Sequence, residues 1–193
     1  PDVKPKIETL ANIKVVGVGG SGTSAVNWMV ESRKMRGVEF IAMNTDSQAL
    51  YHSVVPTKLH IGKMTTKGLG AGMDQELGRK SAEENQNEIR DLLKGADMVF
   101  VTCGLGGGTG TGASPIIAQI ARDMGALTVA VMTKPFSFEG NQRRAIADGG
   151  LQELQQRVDA VIVIPNDRIL QIIDKKTPLL DAFATVNDVL RQG

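Results

Sequence analysis

Residues 104–112 read GLGGGTGTG, six glycines and two threonines in nine positions, between the apolar run DMVFVTC (97–103) and ASPIIAQIA (113–121). Glycine forfeits backbone entropy and side-chain packing, so such a density belongs where the chain must curve tightly or approach something closely. An apolar run, a glycine loop and a helical pattern in that order suggest a strand that feeds a helix through a ligand-binding turn. The rest of the chain repeats the alternation. Further strands are expected over 13–18 (IKVVGV), 38–44 (VEFIAMN), 127–133 (LTVAVMT) and 158–165 (VDAVIVIP), and helices over 25–35, 75–93, 113–124 and 140–157. Strands apolar on both faces that alternate with helices imply a three-layer α/β fold, a mostly parallel sheet covered on both sides.

In such sheets ligands lie at the carboxyl ends of the strands. The glycine-rich stretches fall there: GVGGSGTS (17–24) after the first strand, GLGGGTGTG, and a separate loop KGLGAG (67–72). Helix N-termini carry free amides and the positive end of the helix dipole, and glycines let successive amides wrap around phosphate oxygens. Thr109 and Thr111 add hydroxyl donors, so the expected ligand is a polyphosphate. Replacing Gly108 with a bulky residue is expected to abolish binding with little loss of fold, its Cβ projecting toward phosphate.

Other features narrow the class. Lys and Arg number 22 against 21 Asp and Glu, a balance that gives no electrostatic pull toward nucleic acid or an anionic membrane. The one cysteine, Cys103, excludes an internal disulfide, and no run reaches the roughly 18 apolar residues of a membrane span. A reducing, cytoplasmic setting is expected, without membrane insertion. Cys103 reads as a small buried hydrophobe. A start at Pro1 and an end at Gly193, just after a helical pattern, suggest a piece of a longer chain.

Gly17, Gly19 and Gly22 form a GxGxxG with Asp46 at a fitting distance for a ribose, which leaves open an NAD(P)-binding Rossmann domain of an oxidoreductase. One pyrophosphate does not use three glycine loops, however, and no GKS or GKT supplies the lysine grip of a P-loop. Glu139 and Arg143 share a helix face and read by spacing alone as a solvated ion pair. Asn166, just after a strand, reads as a helix cap. Phe183 falls in the stripe Leu179, Phe183, Val186 and Leu190, which periodicity alone reads as core.

GLGGGTGTG resembles the signature loop of the tubulin/FtsZ family of GTPases, and NTDSQAL, KGLGAG, KGADMVFVT, TKPFSFEG, IPNDRI and LLDAF extend the likeness from about residue 12 to 193. The resemblance implies an N-terminal extension (1–11) and a GTP-binding domain (12–193) that takes GTP or GDP with Mg²⁺. It implies that Gly20, Ser21, Gly22, Thr23 and Ser24, with Gly104, Gly107, Gly108, Thr109 and Gly110, hold the α- and β-phosphates. Ala71 and Gly72 would approach the γ-phosphate, Glu139 and Arg143 the ribose side, and Asn166, Phe183 and Asn187 the guanine. The first loop carries less glycine than the family pattern, and Asn187 stands where many members have Asp. The resemblance further implies a cytoskeletal GTPase that assembles head to tail into filaments at the bacterial division site. The acidic residue that completes hydrolysis would lie beyond residue 193 and act on the adjacent subunit's nucleotide, so none in this chain is catalytic. A nucleotide-regulated structural protein without turnover remains a further reading.

Overall fold

The computed structural model describes residues 11–32, 35, 37–135 and 139–165. Among these residues six strands form one all-parallel sheet: β1 (Ile13–Val18), β2 (Val38–Asn44), β3 (Thr57–His60), β4 (Met98–Gly104), β5 (Leu127–Lys134) and β6 (Ala160–Pro165). Their spatial order is β3-β2-β1-β4-β5-β6, the doubly wound arrangement that reverses direction between β1 and β4. Successive side chains alternate between faces, and the alternation sorts them into two cores. Val15, Ala42, Phe100 and Val131 pack with Val26 and Met29 of α1 (Gly19–Ser32). Val16, Ile41, Val101 and Met132 pack on the other face against α4 (Gln75–Glu84), α5 (Gln86–Leu93), α6 (Gly108–Asp123) and α7 (Asn141–Gln155). The expected three-layer α/β fold is therefore present.

Three details differ from the expectation. The strand TKLH was missed: it is β3, among the described residues an edge strand paired with β2 alone, and it needs just one buried apolar side chain, Leu59. The segment 75–93 is two helices, not one. Asn85 breaks it because its Oδ1 accepts the Gly62 amide at 2.8 Å and its Nδ2 donates to Glu88 at 2.8 Å, which holds it at φ −111, ψ 26. Short helices α2 (Ser47–Tyr51) and α3 (Lys63–Thr66) fill the connections around β3.

The third difference concerns the glycines. α1 begins at Gly19 rather than Ala25, and α6 at Gly108 rather than Ala113, so the loops are themselves first helical turns. Intrinsic propensity argues against this, and packing overrides it. A methyl at Gly22 would lie 2.6 Å from the Thr102 carbonyl, and one at Gly108 would lie 2.6 Å from that of Asp74. Helix backbone rests on strand or helix backbone at these points, which no side chain permits.

Candidate functional site

The three glycine stretches, distant in sequence, converge where the strand order reverses. They line one cleft of about 400 Å³, within the usual range for small-molecule sites. Gly20 and Ser21 contribute from the start of α1. Ala71 and Gly72 come from the loop between α3 and α4. Gly104, Gly107, Gly108, Thr109 and Gly110 come from the end of β4 and the start of α6, and Glu139 and Arg143 close the far end. Their separation of 3.9 Å makes Glu139 and Arg143 an ion pair that is also part of the wall.

Gly22, Thr23 and Ser24 do not line the cleft. Gly22 is the close contact of α1 with β4. The Thr23 hydroxyl is buried, donating to the Gly19 carbonyl at 2.6 Å and accepting from Asn44 at 3.3 Å, and Ser24 is exposed. Asn166, Phe183 and Asn187 lie outside the described residues.

Two expectations about the signature loop need correction. The Thr111 hydroxyl does not face a ligand, because it accepts the Gly106 amide at 2.9 Å and is buried. Gly108 borders the cleft, yet its Cβ direction points at the carbonyls of Asp74 and Ala71, at 2.6 and 2.9 Å, so a bulky residue there attacks the α4–α6 packing first. The open directions are at Gly20, Gly72 and Gly107, where an added Cβ meets nothing within 4 Å.

The lining can hold an anion. The first amides of a helix have no partner within it. At α6 that of Gly108 donates to the Gly72 carbonyl at 2.8 Å, which leaves those of Thr109 and Gly110 in the lining. α1 presents Gly20 and Ser21 in the same way, so two positive helix ends meet at one point. Glycine at 20, 72 and 107 leaves room for phosphate against the backbone.

The Asp46 carboxylate lines the cleft, but its Oδ1 caps α2 by accepting from Gln48 at 2.9 Å and Ala49 at 3.1 Å. Asp74 likewise caps α4, from Glu76 at 3.0 Å and Leu77 at 3.2 Å. Among the described residues no cluster of three His, Cys, Asp or Glu could hold a metal ion. A divalent ion here would rely on phosphate oxygens, as Mg²⁺ commonly does. Cys103 is buried with its Sγ 3.0 Å from Met132 Sδ; burial pushes the thiol up to about 12, the Ser114 hydroxyl offsetting only part, so it is no nucleophile at neutral pH.

Sequence reasoning passed over Asn44 and Thr45, which also line the cleft. Their position at the end of β2, Asn44 its last residue and Thr45 the next, at the carboxyl edge of the sheet, was the available signal.

The fold and cleft together define a doubly wound α/β protein with a glycine-lined cleft at its switch point. The family model for the GTPase domain of the tubulin/FtsZ family matches residues 12–174, and the chain belongs to that family. An FtsZ dimer from M. jannaschii, described as empty, is 43% identical with a TM-score of 0.83, over 95% of this chain and 53% of that one. CetZ1 from Haloferax volcanii, a GDP-bound monomer, is 30% identical with a TM-score of 0.75, over 81% of this chain and 51% of that one. CetZ2 from the same organism, a GTPγS-bound protofilament, is 29% identical with a TM-score of 0.74, over 81% and 49%. The chain thus spans about half the length of these structures. Family membership displaces the oxidoreductase reading, and Gly17 and Gly22 are accounted for by the seat of α1: a methyl on Gly17 would lie 2.7 Å from Val26. Among the described residues no helix is long and apolar enough to cross a membrane.

Proposed function

We propose that residues 12–193 are the GTP-binding domain of a filament-forming GTPase of the FtsZ kind, active in the cytoplasm at the bacterial division site. The convergence of three glycine stretches on one cleft at the switch point carries this reading. The higher identity to FtsZ than to CetZ favours division over other cytoskeletal roles. Gly20 and Ser21, with Gly104, Gly107, Gly108, Thr109 and Gly110, form the α- and β-phosphate cradle, with Ala71 and Gly72 toward the γ-phosphate. Glu139 and Arg143 hold the ribose side, and Asn166, Phe183 and Asn187 read the guanine. Mg²⁺ enters with the nucleotide. Subunits stack head to tail, and the group that aligns the attacking water comes from the adjacent subunit.

Displacement titrations test the ligand. Guanine presents N1–H and a 2-amino group that the Asn187 carbonyl oxygen can accept, and a lost hydrogen bond in a closed site costs about 1–3 kcal/mol, so GTP or GDP should outcompete ATP by roughly tenfold or more. Equal displacement by ATP overturns the guanine assignment.

Phosphate release tests the division of labour. Phosphoryl transfer rests on an aligned water and on charge neutralisation. With Asp46 and Asp74 occupied as helix caps, residues 1–193 should hydrolyse GTP very slowly, with a rate per chain independent of protein concentration. Rapid turnover at high dilution would place a complete catalytic site within these residues.

A further inference from the structure

Beneath the cleft, the residues at the end of β2 are tied in from three sides. Asn44 donates to the Thr23 hydroxyl of α1 at 3.3 Å, and its Oδ1 accepts the Asp46 amide at 3.2 Å. The Thr45 carbonyl accepts from His60 Nε2 at 3.2 Å and from the Thr66 hydroxyl at 3.5 Å. The Thr45 hydroxyl, fully buried, lies 2.6 Å from the hydroxyl of Thr109, 64 residues away in the signature loop.

We infer that Thr45 is a positioning residue for the anion site, acting through Thr109. Each hydroxyl has one proton and can accept, so the pair alone can be oriented either way. A phosphate oxygen in the cleft only accepts. It therefore selects the orientation in which Thr45 donates to Thr109 and the Thr109 proton points outward to the phosphate. Thr45 borders the cleft, but its side chain exposes no surface and its hydroxyl is taken up by that of Thr109, so it meets a ligand through Thr109. Its part is to fix the Thr109 rotamer and to make that hydroxyl a better donor, as chained hydrogen bonds polarise one another. The inference rests on the cleft holding a polyphosphate.

The test is an equilibrium titration of the full chain and its variants with fluorescent GDP, with unlabelled guanosine as competitor, alongside thermal unfolding. Thr45→Val keeps the shape and removes the donor; it should weaken GDP by about tenfold, the scale of a hydrogen bond to a charged group, and leave guanosine unchanged. Thr45→Ser should stay within about twofold of the parent, since it keeps the donor. The double variant with Thr109→Val should bind no worse than Thr109→Val alone, because both act on one interaction. If Thr45→Val does not fold, Thr45→Ala is read by the same cycle. Unchanged GDP binding, equal losses for guanosine and GDP, or additive losses in the double variant each overturn the role of Thr45. Failure of the parent chain to bind GDP at all overturns the nucleotide reading itself, and this inference with it.

Discussion

Gly112→Val is expected to destabilise the chain by about 3–5 kcal/mol, at the upper end of what single substitutions do. Gly112 lies one turn into α6 and is buried against α4. A methyl there would stand 2.8 Å from the Arg79 amide nitrogen and 2.9 Å from the Gln75 carbonyl carbon, both backbone atoms. A side chain in the way can change rotamer, whereas a helix backbone can only move as a body. Overpacking against yielding side chains already costs about 1–3 kcal/mol. Here α4 must lift from α6, which opens the core around Ala82, Ala113 and Ile117. With roughly 2–4 °C per kcal/mol for a chain of this size, the melting temperature should fall on the order of 10 °C. Gly149→Ala is the control. Gly149 is inside α7, and its added methyl meets nothing within 4 Å. Relieving a helix of one glycine should stabilise by about 0.5–1 kcal/mol. Thermal or denaturant unfolding of the two variants reads both signs. Parent-like melting of Gly112→Val would mean that the α4–α6 backbone contact is not as described.

The same contact explains what could be read from the sequence and what could not. Five of the six strands were legible because burial on both faces writes them as continuous apolar runs, as in β4, MVFVTCG. β3 was not, since an edge strand with a single buried side chain carries almost no pattern. The helix starts were misread for a physical reason. Gly19 and Gly108 look like loop, and their glycine is required because another backbone lies close to where a Cβ would be. That neighbour, α4 for Gly108, is some thirty residues away in sequence. The positions that line the cleft were largely legible, since glycine after a strand has few uses. The direction each one faces was not: Gly107 and Gly108 read alike, yet an added Cβ meets open space at one and backbone at the other. Thr45 is harder still, for a threonine at a strand end signals nothing until Thr109 is beside it.

Gly20→Asp is expected to cost GTP or GDP at least about a hundredfold in affinity while leaving the fold intact. Gly20 is exposed, occupies the second position of α1 and lines the cleft, and a Cβ there meets nothing within 4 Å. An aspartate in a first helical turn is favourable, by about 0.3–1 kcal/mol with the dipole, so stability should hold or rise slightly. Toward a polyphosphate the sign reverses. A carboxylate about 5 Å from a phosphate charge, at an effective dielectric near 20, opposes binding by roughly 3 kcal/mol, which alone exceeds a hundredfold. It also competes for the amides that the cradle offers to the ligand. Gly20→Asn has the same shape without the charge, so it isolates electrostatics from bulk and should lose far less. Salt separates them a second way: screening at about 1 M shortens the Debye length to about 3 Å and should narrow the gap between the Asp and Asn variants. Titration with fluorescent GDP at low and high salt, paired with thermal unfolding, reads all of this. A Gly20→Asp variant that melts like the parent and binds GDP within about threefold of it, where the charge argument requires a hundredfold, would mean that the phosphates do not lie at the N-terminus of α1.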